Sequence, residues 1–320
     1  MTLTRSWGFH TGELAVQRRA GVSEEAERLT GMLAPASLRG GGSRFLAERT
    51  FAALTARDRE GRLWISPLAG RPGFLDGQDT ALYVRAVFEP SDPLRGLASG
   101  QLVGLAAVDF ASRRRVRVNG TLASAGDNGL VIAVDEAFGN CPKYIQQRRL
   151  DLDRGAPGAE GDRDARASRM TTDLNDRQID LITHADTFLL GTTHPERGND
   201  ASHRGGTPGF VRVEGDTLWW PDYPGNNMFN SLGNIAVDDS AALLFVDFAT
   251  GATLHLSGVA RLDWIETGSA GDDGGTGRQV RFTVQRVADG ARLPLHMTDA
   301  TAAVTPSPYN WPLRDARTKM

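Results

Sequence analysis

Two stretches decide the fold: GLAAVDFASRRRVRVNGTL, Gly104 to Leu122, and ALLFVDFATGATLHLSGVA, Ala242 to Ala260. Laid side by side they pair Asp109-Phe110 with Asp247-Phe248 and Gly120 with Gly258. Each opens with an apolar run, breaks at a short polar turn and resumes as an alternating segment. That is the pattern of a covered strand, a hairpin and its return strand. In the second copy Leu243 to Phe248 is the covered strand, Ala249 to Ala252 the turn with its glycine, and Thr253 to Val259 the return.

The correspondence extends upstream. FAALTARDREGRLW from Phe51 leads to RPGFL, as FLLGTTHPERGNDASHRGG from Phe188 leads to TPGFV, so that Pro72-Gly73-Phe74 matches Pro208-Gly209-Phe210. A period of about 137 residues is far longer than any solenoid repeat and marks a duplicated domain. Each copy reads as strand, turn, strand, a polar segment with a short helix, and a hairpin. The expected organisation is therefore mainly β with few short helices: a first repeat over residues 1–150, a linker or exposed loop over 151–180, and a second repeat over 181–320. The segment beginning at Asp151 is charged and rich in Gly and Pro, which suits a linker. GSAGDDGGTG from Gly268 reads as a flexible hairpin tip, and Glu24 to Leu33 as a short helix capped by Ser23.

Composition narrows the function classes. The chain has 320 residues, 36 Lys plus Arg against 39 Asp plus Glu, and a net charge of -3. It offers no bulk attraction to nucleic acid or anionic membrane, and a small-molecule partner is expected. With one cysteine, Cys141, it can form neither an intramolecular disulfide nor a cysteine-based zinc cluster. No secretory signal pattern and no long apolar run is visible, so a soluble, cytoplasmic chain is expected. The histidines show no metal-ligand spacing with acids, and no metal is expected.

The two copies differ most where chemistry is expected. The second contains ASHRGG, Ala201 to Gly206, and WWPDYPGNNMFNSLGN, Trp219 to Asn234. Asn226, Asn227, Asn230 and Ser231 lie just before an expected short helix, Gly225 gives a ligand room to approach the backbone, and Arg204 adds a forked cationic donor. Together these suit an anionic group such as phosphate, although the same residue types also build turns and caps. The matching segment of the first copy, VFEPSDPLRGLASG from Val87, is acidic and apolar, so phosphate is expected in the second half only.

The chain also resembles the pyridoxamine-phosphate-oxidase-like, FMN-binding split barrels, in particular a two-repeat branch. The resemblance is carried by FHTGELAVQ from Phe9, GNCPKYIQ from Gly139, SHRGGTPGF from Ser202, PDYPGNNMFNSLGN from Pro221, LLFVDF from Leu243 and SPYN from Ser307. It implies tandem FMN-binding split β-barrels forming a pseudo-dimer within one chain, and an FMN-dependent oxidoreductase moving a hydride to or from a small organic substrate. The family's flavin-binding segment falls on Ser202, His203, Arg204, Gly205 and Gly206. Its cationic phosphate stretch falls on Phe229-Asn230-Ser231, where neutral donors replace two cations. In the family a partner subunit's late hairpin reaches the flavin; here the first repeat's hairpin would do so, placing Arg115 and Arg117 on one strand face near the ring. The bland alternative for both is a solvated basic edge strand.

Of the remaining candidates, Lys143 could bind an anionic substrate, and Tyr144 could stack on a ring or shuttle a proton. His10 could serve as acid or base oriented by Glu13, or the pair could simply anchor the N-terminal segment. Cys141 reads as a small buried residue rather than a nucleophile, because no basic group adjoins it in sequence. The substrate phosphate ligands of pyridoxamine phosphate oxidation are not recognisable. A flavin- or haem-binding module without turnover, use of the deazaflavin F420, and a homodimer of the duplicated chain are the other arrangements the resemblance admits.

Overall fold

The computed structural model describes residues 8–33, 37–152, 170–298 and 304–314. Residues 153–169, most of the stretch read as a linker, lie outside the described residues; helix α4, Asp176–His184, begins inside the remainder of that stretch.

Two seven-stranded antiparallel sheets dominate. The first repeat contributes β1 (Phe51–Arg57), β2 (Leu63–Ala69), β3 (Leu75–Gln78), β4 (Ala81–Val84), β5 (Leu102–Asp109), β6 (Arg114–Gly126) and β7 (Gly129–Asn140). Between the repeats lies β8 (Leu150–Leu152). The second repeat contributes β9 (Thr187–His194), β10 (Gly198–Gly205), β11 (Arg212–Glu214), β12 (Thr217–Pro221), β13 (Ser240–Val246), β14 (Ala252–Trp264) and β15 (Arg278–Arg292). The spatial orders are β2-β1-β5-β6-β7-β4-β3 and β10-β9-β13-β14-β15-β12-β11, which is one topology used twice. The protein is thus mainly β, two split barrels in tandem.

The repeat holds at the level of individual backbone devices. Asp109 accepts from the amides of Ala111 and Ser112 and from the Ser112 hydroxyl, and Asp247 does the same with Ala249, Thr250 and the Thr250 hydroxyl. Each carboxylate thereby closes its hairpin turn. Gly120 and Gly258 sit at β-bulges where a Cβ would lie 2.1 Å from a carbonyl oxygen of the neighbouring strand, Ala133 in one half and Thr283 in the other. Only glycine allows that approach. The Gly of each Pro-Gly-Phe turn, Gly73 and Gly209, takes φ of 94° and 93°.

Burial is organised in three layers. One core fills the first barrel around Leu54, Trp64 and Leu105, and another fills the second around Phe188, Leu243 and Phe282. A third lies between the barrels, where Phe51, Ile65, Val108 and Phe110 meet Leu189, Ala201, Leu244 and Phe248. Strands β5 and β13 read as continuous apolar runs because each is covered on both faces, by its own barrel and by the other repeat.

Three expectations need correction. The polar segment of the first repeat forms turns among the described residues, not a helix; only the second has one, α5 (Asn230–Ile235), and Asn230 and Ser231 are its first residues rather than its preamble. The helix expected over Glu24 to Leu33 is two pieces, α2 (Ser23–Glu27) and a 3₁₀ turn (Thr30–Leu33), and the capping position is Val22 with no side-chain bond. The loop read as a flexible hairpin tip is tightly built. Asp272 and Asp273 within it are fully buried; Asp272 accepts from the amides of Gly268, Thr276 and Gly277, and Asp273 pairs with Arg212 at 2.9 Å.

An N-terminal helix, α1 (Thr11–Ala20), packs on α5. Gly12 and Gly233 touch closely enough that a Cβ on Gly12 would lie 2.2 Å from the Gly233 carbonyl oxygen. Among the described residues no helix is long and apolar enough to cross a membrane.

Candidate functional site

Where the first repeat's β6 meets β10, a cleft of about 100 Å³ opens beneath the segment running from Pro221 to Leu232. Both repeats build it: β6 and the turn after β7 supply Arg115, Arg117, Cys141 and Tyr144, and the second repeat supplies His203, Arg204, Trp220, Asp222, Tyr223 and Phe229.

Three arginines face two carboxylates. Arg117 donates to Asp200 at 2.8 Å, and Ser231 donates to the same carboxylate at 3.2 Å. Arg204 lies 4.0 Å from Asp222, which is held more closely by Arg278 at 2.9 Å. Arg115 donates to the His203 carbonyl at 3.0 Å and contacts His203 Nδ1 at 3.2 Å. A guanidinium can only donate, so Nδ1 is the acceptor and the ring proton belongs on Nε2. His203 is only 4% exposed, and burial, then the charges of Arg115, Arg148 and Arg204, hold it well below the ordinary histidine range, so it is neutral at pH 7. Burial, then Arg117, brings Arg115 down to about 10, which leaves it charged.

The polar atoms left over are informative. The Nε of Arg115, of Arg117 and of Arg204, Nε2 of His203 and the Tyr223 hydroxyl are buried without a partner in the protein. Buried donors are ordinarily satisfied, and this many around one cleft point to a ligand with several acceptors. The backbone here is also forced. Tyr144, Asn227 and Phe229 take φ of 66°, 62° and 59°, and they are three of the five non-glycine residues with positive φ among those described. Such conformations gather where a loop is shaped by its ligand rather than by its own preferences.

Of the residues singled out in the sequence, the structure brings Arg115, Arg117, Tyr144, His203, Arg204, Gly205, Asn226, Asn227, Asn230 and Ser231 to this cleft. Gly205 is required by crossing chains, because a Cβ there would lie 2.1 Å from the Tyr144 carbonyl oxygen. Several polar side chains are already engaged: Asn226 accepts from the Met228 amide, Asn230 donates to Glu13, and the Tyr144 hydroxyl donates to the Pro224 carbonyl at 2.8 Å.

Four candidates lie outside the lining. Ser202 sits behind the wall, its hydroxyl 3.1 Å from that of Ser231, and Gly206 packs under Phe210. Lys143 reaches the Pro224 carbonyl at 3.4 Å and lies over the Tyr309 ring. His10 caps α1: its Nδ1 accepts from the Gly12 amide while Glu13 accepts from the His10 amide. It holds the first turn of α1 and is not part of the cleft lining.

Sequence reasoning missed Asp200, Asp222, Tyr223 stacked on Tyr144, and the proximity of Arg115 to Cys141. Asp200 was detectable, because its counterpart in the first copy is Trp64; both stand opposite the residue five places into the preceding strand, Ala56 and Thr192. The same register sets Leu68 against Arg204. In the first barrel Trp64 and Leu68 are buried in an apolar core with Phe88 and Leu94, so the equivalent cleft is filled. His255, the counterpart of Arg117, is buried against the Ile65 carbonyl.

No family model and no curated protein matches the chain. Among solved structures it is similar to HupZ of Group A Streptococcus (15% identity, 37% of this chain, 98% of that one, TM-score 0.31). It is similar also to a pyridoxinephosphate oxidase family protein of Clostridium acetobutylicum related to general stress protein 26 (15%, 38%, 90%, 0.26). A third is the FAD binding protein of Mycobacterium smegmatis (15%, 39%, 100%, 0.26). Each likeness spans little more than a third of the chain. Among the described residues no group of His, Cys, Asp and Glu could hold a metal ion.

Proposed function

We propose that the cleft holds FMN and that the protein is a flavin-dependent oxidoreductase acting on a small organic molecule other than pyridoxamine phosphate. One observation carries the reading: three arginines from two repeats, Arg117 buried and Arg115 and Arg204 partly so, each with a buried, unpartnered Nε, converge on a cleft walled by Trp220, Tyr223 and Phe229. A ligand with a phosphate and a flat, acceptor-rich ring matches both halves of that description.

The fit rests on those unpartnered donors. Arg204, with the amides and side chains of the Asn226 to Ser231 segment, would hold the phosphate; Arg115 and Arg117 would face the ring and oppose negative charge on it. The flavin, when bound, supplies the hydride acceptor and donor. The chain's own part is to bind, to orient and to exclude water. His203 can donate one hydrogen bond from Nε2 but, being neutral and buried, carries no charge to the site.

A haem-binding module without turnover is the second reading: Arg115, Arg117 and Arg204 would suit haem carboxylates, whereas His203 Nε2, carrying the ring proton, offers no lone pair to an iron. The chromophore released on denaturing purified protein separates the two. Flavin absorbance with the mass of FMN, near one per chain, supports the first, and a haem spectrum the second. Arg204→Ala is expected to weaken FMN binding roughly tenfold or more, as for loss of a charge-assisted hydrogen bond. The fold should survive, because Asp222 keeps Arg278. Colourless protein that does not bind added FMN overturns the flavin reading.

A further inference from the structure

The chain's one thiol stands in the cleft in a setting that sequence alone conceals. Cys141 follows β7 directly, is partly exposed, and lines the cavity. Arg115, twenty-six positions earlier, crosses to it and places Nη2 4.0 Å from the sulfur. A second observation marks the same wall as a place where something binds: Arg117, 8% exposed, and Arg115 both line the cavity, and each has a buried Nε without a partner. Arg115 is the cation in contact with the thiol; Arg117, Arg204 and Asp222 line the same cavity, and His203 there is neutral.

We propose that Cys141 is a thiol–disulfide exchange site for small anionic disulfides, with Arg115 as the residue that both opposes the thiolate's charge and draws in the reagent. The thiol proton goes to solvent and the sulfur attacks one sulfur of a disulfide R–S–S–R. The S–S bond of the reagent breaks, Cys141–S–S–R forms, and the departing RS⁻ takes up a proton. The reagent is the only oxidant needed. A reactive sulfur beside a fixed cation, open to solvent through a cleft, is the environment in which thiolate chemistry is selective. Because the chain has no other cysteine, nothing within it can resolve the adduct, and the R group stays beside Arg115 until an external thiol removes it. This inference stands apart from the identity of the cofactor, since it concerns the ligand-free chain.

The test uses the full chain freed of small molecules and two probes, dithiobis(nitrobenzoate), a dianionic disulfide, and hydroxyethyl disulfide, which is uncharged. The quantity read is the ratio of their reaction rates, divided by the same ratio for N-acetylcysteine amide. The native chain is expected to favour the dianion by roughly tenfold on this scale and to release one nitrothiobenzoate. Arg115→Gln should bring the ratio close to that of the free thiol, and Arg115→Lys should recover most of it. If Arg115→Gln does not fold, added salt decides: it should lower the preference of the native chain several-fold, as screening requires. A native ratio equal to that of the free thiol, or a ratio indifferent to both salt and Arg115→Gln, overturns the proposal. Cofactor release, measured separately, is unaffected by either result.

Discussion

At Asp200 a single carboxylate is held by Arg117, by Ser231 and, at 3.5 Å, by Asn119, while being only 3% exposed. Removing one member of such a buried pair leaves the other unpaired. Arg117→Ala is therefore expected to destabilise the protein by about 3 kcal/mol in urea unfolding. Arg117→Ala combined with Asp200→Ala should cost less than the single change. A second residue-scale expectation concerns protons. Burial raises Glu13 to about 7, and burial, then His194 and Arg197, lowers His10 to about 3. Their 3.5 Å contact is thus a neutral one near pH 6, and folding moves a proton from the imidazole to the carboxyl. Between about pH 4.5 and 6.5 the unfolded pair holds its one proton on histidine and the folded pair holds one on Glu13, so the pair's contribution is flat. Above that window the folded pair alone keeps its proton, and stability falls as pH rises towards 7. Below it the unfolded pair binds two protons against one, and stability falls as pH drops towards 3, at up to roughly 1.4 kcal/mol per pH unit. Urea titrations of the wild type against His10→Asn/Glu13→Gln should show this plateau and both edges in the difference. A difference that climbs steadily across the window would refute the assignment.

Elements tell how far the sequence could be read. The two hairpins were legible because an apolar run, a turn glycine and an alternating return are dictated by burial and pleat. The paired devices Asp109/Asp247 and Gly120/Gly258 confirm that the likeness of the copies is structural down to the bulge. Helix α1 was not legible: its cap is a histidine, rare in that position, and its apolar face is short, since it is positioned by close contact rather than by burial of large side chains. The Gly268 to Gly277 loop misled for a related reason. Its composition announces turns, but not that Asp272 would answer three of its own amides and that Asp273 would find Arg212. Because α1 reaches α5 through Gly12 and Gly233, Gly12→Ala is expected to push the helices apart at a cost of about 1–3 kcal/mol. Glu13 and Gln17 tie α1 to Asn230 and to the Met228 carbonyl, so the same change should loosen the cleft's floor. Faster amide exchange over both helices, with β13 unchanged, is the expected record; exchange that is uniform or unaltered would contradict it.

On the scale of the whole chain, the ten candidates that met in the cleft did so because the repeat defines which strand faces which. What could not be foreseen is the pairing chemistry across the two barrels, where Arg115 meets His203 from a position that no local pattern links. The filled counterpart of the cleft bears on stoichiometry. Trp64→Ala should cost roughly 3–5 kcal/mol as a core cavity. It should leave ligand binding at one per chain, because Leu68 and His255 stand where arginines would be needed; two equivalents bound per chain would contradict this.

A cleft drawn from both barrels of one polypeptide has a further property. In an assembly of separate subunits such a cleft vanishes on dilution, since its halves must find each other, whereas halves tethered by a chain meet at an effective concentration that dilution cannot change. Ligand affinity should accordingly be the same at nanomolar and micromolar protein. A cleft made in this way is also free of twofold symmetry, so either barrel can vary its contribution without imposing the same variation on the other.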